Sequence, residues 1–458
     1  MHLPPADLSP LQAYFQEGHT RSYAFRKKQL VQLKQAIRQY EPRLLEALHQ
    51  DLHKSAEEAF STEIGLVYAE IGYLLKHLRT WMQPAGSSSP LALFPSSGKI
   101  VREPWGVSLI VAPWNYPFQL LVAPLAGAIA GGNCVVLKPS ELAPATAQVM
   151  EEMVTAFFDQ NYIRVIQGEG AAVAPALLQT WRFDHIFFTG SVPVGKSVAL
   201  LAAEQLIPVT LELGGKSPCI VDAEVHLKTA AARITWGKFT NAGQTCVAPD
   251  YLLVHESRYA ALLEEMQQHI RRFYGSDPRQ SPDYGRIINQ RRFDHLVSFL
   301  AQGKVVSGGV TERDSLYISP TIMEQVHPAQ PLMQEEVFGP ILPVFTYREK
   351  EEVLQFISQH SHPLSLYVFS SNKATQQYYT SRLSFGGGCI NNTLVHLADP
   401  GLPFGGVGSS GMGQYHGRYS FDTFTRPKAL LRTGTWIDPA IKYPPYAGKM
   451  RWLKWFLK

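Results

Sequence analysis

The stretch NAGQTCVAPDY, Asn241 to Tyr251, places one thiol, Cys246, behind Gly243, Gln244 and Thr245 in a small polar turn that reads as flexible. A cysteine attacks as its thiolate, a form favoured in a partly exposed, electropositive setting and disfavoured in an apolar core. Attack on a carbonyl carbon creates an oxyanion. A side-chain amide with a backbone N–H can hold it, each donor being worth about 3 kcal/mol of barrier. Asn115, between the prolines of PWNYP, is the candidate amide. A thioester formed on the thiol then needs a base that activates water. Glu212, in LELGGKSP, suits that task because a carboxylate among leucines is pushed up in pKa by desolvation. Each residue has a plainer alternative: a small core cysteine, a loop asparagine, a buried ion-pair partner. Cys134 and Cys219 lie in apolar runs and read as structural, whereas Cys389, behind three glycines, stays open.

A second chemistry is written in GSVPVGKS, Gly190 to Ser197, which satisfies G-x-x-x-x-G-K-[ST]. With CIVD, ending at Asp222, as a metal-binding strand, the chain reads alternatively as a P-loop NTPase or kinase working through Gly190–Ser197 and Lys196. Both that reading and a dinucleotide reading share a glycine-rich turn opening a helix whose N–H groups favour an anion. The dinucleotide reading also asks for a ribose-binding carboxylate, and KPSE offers Glu141 with Lys138 beside it. A kinase has no need of an activated thiol.

The elements that must carry these residues follow from pattern. The chain has 458 residues, with 45% apolar and 17% charged residues, which allows two or three domains with sizeable cores. The net charge of +4 is mild, and no basic block is dense enough to track a phosphate backbone, so no nucleic-acid partner is expected. Four unclustered cysteines fit a reducing, cytoplasmic compartment, and no metal site is expected. The opening MHLPPADLSPLQAYF lacks the form of a secretory signal. The first eighty residues read as helical, with Pro42 in the first turn of a second helix and a capping box at Ser55–Glu58. PAGSSSPLALFPSSG, residues 84–98, breaks the pattern as a linker or an excursion to another domain. Then VSLIVAP, CVVLKPS, RVIQG, HIFFTGS and SPCIVD alternate with helical stretches, which argues for an α/β fold with a parallel sheet. The uncharged run from Pro104 to Leu137 is broken by Pro113, Pro117 and Pro124 and reads as buried strand, loop, helix, strand, not a membrane span.

Taken together, PWNYP, KPSE, FTGSVPVGK, LELGGKSP, GQTC, EEVFGP and PFGGVGSSGMG, in that order, resemble the aldehyde dehydrogenase superfamily over nearly the whole chain. The short N-terminus, GQTCVAPDY and GVGSSGMGQYHG are similar to its class 3, fatty aldehyde dehydrogenase-like branch. The resemblance implies Cys246 as nucleophile, Glu212 as general base, and Asn115 with the Cys246 N–H as oxyanion hole. It implies NAD or NADP as cofactor, met by Trp114, Lys138, Glu141, Gly190, Ser191, Gly195, Glu336 and Phe338. It further implies a Rossmann-like cofactor domain (1–85 and 107–212), an α/β catalytic domain (213–395) and a small bridging β element (86–106 and 421–440) that pairs with a second subunit in a homodimer. The implied reaction is oxidation of an aldehyde, of apolar medium- or long-chain or aromatic type, through a thiohemiacetal and a thioester to the acid.

The last residues, 441–458, form a tail. In YAGKMRWLKWFLK a helix would gather Arg451, Lys454 and Lys458 on one narrow face and Met450, Trp452, Leu453, Trp455, Phe456 and Leu457 on the rest, with Lys449 misplaced. Such a helix can lie at a membrane surface as a peripheral contact or pack on the protein over the substrate entrance.

Overall fold

A computed structural model describes residues 7–360 and 362–456. The opening hexapeptide and the last two tail residues, Leu457 and Lys458, lie outside the described residues, so the shared basic face is seen only for Arg451 and Lys454.

The chain opens with helices. Ser22 caps the helix Tyr23–Leu52 by accepting from the Phe25 N–H, and Leu30, Leu33, Ile37, Leu44 and Leu48 turn its apolar stripe inward. Contrary to the expectation of a new helix with Pro42 in its first turn, Pro42 lies inside this one. The helix absorbs the missing N–H because its apolar stripe continues on both sides of the proline and remains packed. At the next helix Ser55 accepts from the Glu58 N–H, the first half of a capping box. Helix geometry then widens to a π turn over Phe60–Ile64 before resuming as Gly65–Trp81.

Residues 84–104 leave the helical layer. Ala85–Ser87 and Ser96–Pro104 form two strands of a three-stranded antiparallel sheet whose third member is Thr425–Thr433, with Thr425 opposite Pro104 and Thr433 opposite Ser96. The break is therefore an excursion and not a linker.

Two larger sheets carry the rest. One has the order Gly411–Met412, Val209–Leu213, His185–Gly190, Val107–Val111, Cys134–Lys138, Ile163–Val165. All neighbours are parallel except Gly411–Met412, which runs against Val209–Leu213. Its strands are almost continuously apolar because crossover helices cover both faces. The strand order reverses between Val107–Val111 and His185–Gly190, and in doubly wound sheets the crevice beyond such a switch point takes the ligand. The expected strand, loop, helix, strand sequence appears as Val107–Val111, Gln119–Gly131 and Cys134–Lys138, with the helix buried along its whole length.

The other sheet has seven strands, ordered Lys304–Ser307, Thr321–Glu324, Ile341–Tyr347, Tyr251–His255, Pro218–Val221, Ser365–Phe369, Gly387–Ile390. It is parallel apart from Lys304–Ser307. Each of the two sheets has its own cluster of buried apolar side chains. Among the described residues no helix is long and apolar enough to cross a membrane.

Candidate active site

A cavity of about 840 Å³ opens where the carboxyl ends of the first sheet face the amino ends of the strands Pro218–Val221 and Tyr251–His255. It is lined by Trp114 and Asn115 beyond one strand of the switch point and by Gly190 and Ser191 beyond the other. Glu212, Cys246, Glu336 and Phe338 complete the set. Residues scattered over more than two hundred positions thus meet in one space. Lys138, Glu141 and Gly195 lie outside its lining.

Cys246 sits partly exposed after a turn that is polar but locked, not flexible. Asn241, Ala242 and Gly243 have φ of 52°, 49° and 74°, three successive left-handed residues. A non-glycine residue there costs about 1–2 kcal/mol, so neighbours must hold the turn. The Asn241 N–H donates to Glu58 Oε1 at 2.7 Å, and its Nδ2 donates to the Asn115 carbonyl at 2.8 Å. Gln244 Nε2 donates to the Arg286 carbonyl at 2.9 Å, and Gln244 Oε1 accepts from the Ile288 N–H at 3.0 Å. Gly243 is required because a side chain there would meet the Gly339 carbonyl at 2.3 Å. The thiol's surroundings are not electropositive, contrary to expectation. Burial, then the carboxylates of Glu336 and Glu212, push its pKa up, while the Cys246 and Val247 N–H groups aimed at the sulfur work the other way. The first physical reason is burial, and the ionisable groups converging on this thiol are the acids of the site.

Asn115 is fully enclosed. Its Nδ2 donates to the Gln244 carbonyl at 3.0 Å, two residues before the thiol. Its own carbonyl accepts from Lys54 Nζ at 3.0 Å. Lys54 pairs with Glu63 at 2.6 Å, both wholly buried, and lies 4.0 Å from the centre of the Tyr116 ring. Glu63 in turn accepts from the N–H groups of Phe118 and Gln119 at 2.9 and 3.2 Å. The loop Pro113–Phe118 is thus held by an ion pair from the helical region around the π turn. Nothing in the sequence marked Lys54 or Glu63, and Glu58 stood out only as a capping residue, because their partners at the site are far away along the chain.

Glu212 lies one residue before the end of the strand Val209–Leu213 with 3% of its surface exposed, and neither carboxyl oxygen has a hydrogen-bond partner among the described residues. Burial without a partner pushes its pKa well above the usual carboxylate range. An orphaned buried carboxyl beside a cavity is costly unless something in the cavity uses it.

The glycine-rich stretch is not a P-loop. The strand ends at Gly190 and the helix already begins at Val192, so Gly195, Lys196 and Ser197 lie in its body. The Ser197 hydroxyl donates to its own helix at the Pro193 carbonyl, and Lys196 is exposed away from the cavity. Asp222 follows a strand of the other sheet and accepts from Ser370. What remains is a helix N-terminus, with no side-chain cap at Ser191, opening on the cavity. Gly195 faces Leu213, where a side chain would meet Cδ2 at 2.4 Å, so it lets helix and strand approach. Lys138 and Glu141 pair at 2.5 Å, and Glu141 also accepts from the Gly170 N–H at 2.9 Å. Burial alone would raise the Glu141 pKa; Lys138 and that N–H outweigh it and keep it lowered.

Glu336 reaches back over the strand end. A side chain on Gly214 would meet Glu336 Oε2 at 1.9 Å, so only glycine leaves room for the carboxyl, which also accepts from the Gly215 N–H. Burial, then Asp250, push its pKa up to about 8. Phe338, at φ 45°, packs edge-on against Trp114 with ring centres 5.4 Å apart.

The chain as a whole has relatives among known proteins. The model of the family described as "Aldehyde dehydrogenase family" matches residues 12–430. The chain is 50% identical to 4,4'-diaponeurosporen-aldehyde dehydrogenase of Staphylococcus aureus, over 97% of each chain. It is 45% identical to mouse aldehyde dehydrogenase family 3 member B1, over 96% of this chain and 94% of that one. Among solved structures, the substrate-bound state of Staphylococcus aureus AldH superposes with a TM-score of 0.97 at 48% identity, covering 100% of both chains. An indole-3-acetaldehyde dehydrogenase complexed with NAD+ does so with a TM-score of 0.85 at 26% identity, covering 93% of this chain and 88% of that one.

Proposed function

The chain belongs to the aldehyde dehydrogenase family and oxidises an aldehyde with NAD or NADP, and we propose that it does so through Cys246, Glu212 and Asn115. The observation that carries this reading is the convergence of the Cys246 thiol and the partnerless Glu212 carboxyl on one cavity. The Cys246 thiol gives its proton to water as its sulfur attacks the carbonyl carbon, which forms the oxyanion of a thiohemiacetal. The oxyanion is held by the second Asn115 amide hydrogen and by the Cys246 N–H. Loss of hydride from that carbon leaves a thioester on Cys246. Glu212, a stronger base for its burial, takes a proton from water, which attacks the thioester and releases the acid. The residues in and beside the cavity fit a dinucleotide: the uncapped helix end at Ser191 would suit its pyrophosphate, the Lys138–Glu141 pair, outside the cavity lining, its adenosine ribose, and Glu336, in the lining with Trp114 and Phe338, its nicotinamide ribose. NAD(P)+ when bound supplies the hydride acceptor.

The substrate on this reading is an apolar medium- or long-chain or aromatic aldehyde. Leu66, Leu120, Trp236, Leu394, Leu397 and Phe404 line the cavity, and the Staphylococcus aureus relative is named a 4,4'-diaponeurosporen-aldehyde dehydrogenase. A panel of short, long, aromatic and polyene aldehydes with each cofactor, followed by NAD(P)H absorbance, tests it; preference for the shortest member overturns it.

The six-stranded sheet with the early helices serves as the cofactor domain, the seven-stranded sheet as the catalytic domain, and the three-stranded sheet as the bridge to a second subunit. Support for a homodimer comes from the exposed length of Thr425–Thr433, with Leu430 and Leu431 open to solvent. Four free cysteines suit a cytoplasmic setting. The tail forms a helix at Met450–Phe456 with Met450, Trp452 and Trp455 exposed, and the misplaced Lys449 is explained: it donates to the carbonyls of Ala440 and Tyr443. This basic, tryptophan-bearing end makes a peripheral contact with anionic membranes. Flotation with anionic liposomes should be lost when the chain stops after Ala447; equal flotation removes the membrane contact.

A further inference from the structure

Glu336 and Phe338 lie in a stretch, residues 335–340, that has neither helix nor strand of its own. It runs from the end of the short helix Pro331–Gln334 to the start of the strand Ile341–Tyr347. Irregular backbone holds its place only through partners outside itself. Arg292 donates to the Val337 carbonyl and the Thr321 N–H to the Pro340 carbonyl at 2.9 Å, and a buried pair holds the groups on either side of Glu336. Lys216 Nζ donates to the Leu332 carbonyl at 3.0 Å and to the Glu335 carbonyl at 2.8 Å. Asp250 Oδ1 accepts from the Val337 N–H at 2.9 Å. The two residues flanking Glu336 are therefore gripped from both sides.

Lys216 and Asp250 are also paired with each other, at 5% and 4% side-chain exposure, and the Asp250 N–H donates to the Ser217 carbonyl at 2.8 Å. Lys216 lies four residues after Glu212, and Asp250 lies four residues after Cys246. One buried pair thus ties the segment carrying the base to the segment carrying the thiol, and both to the segment carrying Glu336. A buried ion pair is a weak source of stability, since desolvation offsets most of its attraction. Its hydrogen bonds to two points of one irregular stretch, and to a third in the short helix that leads into it, give it a different use.

We infer that Lys216 and Asp250 are positioning residues that set Glu336 against the nicotinamide ribose and in register with Cys246 and Glu212. The inference rests on the proposed ribose-binding role of Glu336. Loss of the Lys216 ammonium frees the Leu332 and Glu335 carbonyls and leaves Asp250, against the Val337 N–H, without its paired ammonium. The Glu336 segment then shifts, while the Ser191 helix end and the Lys138–Glu141 pair, on the other sheet, stay as they are.

The test is calorimetric titration of the full-length protein with NAD+ and, separately, with ADP, which lacks the nicotinamide ribose. In Lys216→Met the NAD+ dissociation constant should rise about tenfold, an ångström-scale misplacement being enough for that, and the ADP constant should change less than about twofold. Asp250→Asn keeps an oxygen for the Val337 N–H and alters no volume; it should show the same split at about threefold, and it carries the test alone if Lys216→Met does not fold. NAD+ affinity unchanged in the folded variants overturns the inference, as does equal weakening of NAD+ and ADP. Glu336→Gln separates the two layers of the argument. If it leaves NAD+ affinity unchanged, the ribose role of Glu336 falls; if it weakens NAD+ while Lys216→Met and Asp250→Asn do not, the positioning role alone falls.

Discussion

Asn115→Ala removes the proposed side-chain donor of the oxyanion hole, and the structure allows the size of the effect to be worked out. The amide nitrogen has two hydrogens; one goes to the Gln244 carbonyl at 3.0 Å, which leaves the other for the reacting oxygen. The Gln244 carbonyl also accepts from Asn241 Nδ2 at 3.2 Å, so truncation does not orphan it. The structural loss is one hydrogen bond, about 1 kcal/mol, and a small void, which in a chain of this length lowers the melting midpoint by at most a few degrees. The catalytic loss is that of one oxyanion donor, about 2.7–4 kcal/mol, or roughly a hundred- to a thousandfold in kcat. Steady-state NADH formation with a saturating aldehyde, beside a melting curve and an NAD+ titration, reads the three quantities. The expected result is a kcat lowered by about two to three orders of magnitude with nearly intact stability and NAD+ affinity. A folded variant that loses less than about tenfold in kcat refutes the placement of Asn115.

Glu212→Gln should leave hydride loss from the thiohemiacetal faster than hydrolysis of the thioester, so stopped-flow traces should show a burst of about one NADH per site followed by slow turnover; a linear trace from the first turnover contradicts its role as base. The same carboxyl has a raised pKa, so wild-type deacylation should quicken as pH rises above the usual carboxylate range, and a pH-independent rate opposes the assignment. Glu336, shifted from 4.5 to about 8, holds in the folded state a proton that the unfolded chain releases. Its contribution to stability is complete below about pH 4.5 and lost as pH rises through about 8, so the cofactor-free protein should melt lower at pH 9 than at pH 5, and Glu336→Gln should flatten part of that slope.

Much of this was legible in the residues themselves. Alternating β-rich runs and helical stretches announced the parallel sheet, because strands buried on both faces must be continuously apolar. Cys246, Asn115 and Glu212 stood out because each is a reactive or polar type set beside glycine or proline at an element's end. The resemblance added Glu336 and Phe338, which have no signal of their own: they lie in an irregular stretch placed by Lys216 and Asp250. The clamp of Lys54 and Glu63 on the Asn115 loop was equally hidden, since a buried ion pair is visible only when its two halves are brought together. Some expectations failed for local reasons. The Gly190–Ser197 match ignored where the helix begins, and a reading of the thiol's turn as flexible ignored three left-handed residues that neighbours hold in place. Pro42 misled because a long packed helix outweighs one missing hydrogen bond.

The central claim is that Cys246 forms the covalent bond to the aldehyde. Mass spectrometry of the protein quenched during turnover of a long-chain aldehyde with NAD+, using Glu212→Gln to slow hydrolysis, reads it directly. An acyl group on the peptide containing Cys246, absent from Cys246→Ala, which should also lose aldehyde oxidation while still binding NAD+, is the predicted result. Near-normal turnover by Cys246→Ala, or an acyl group carried by Cys389 instead, would contradict it.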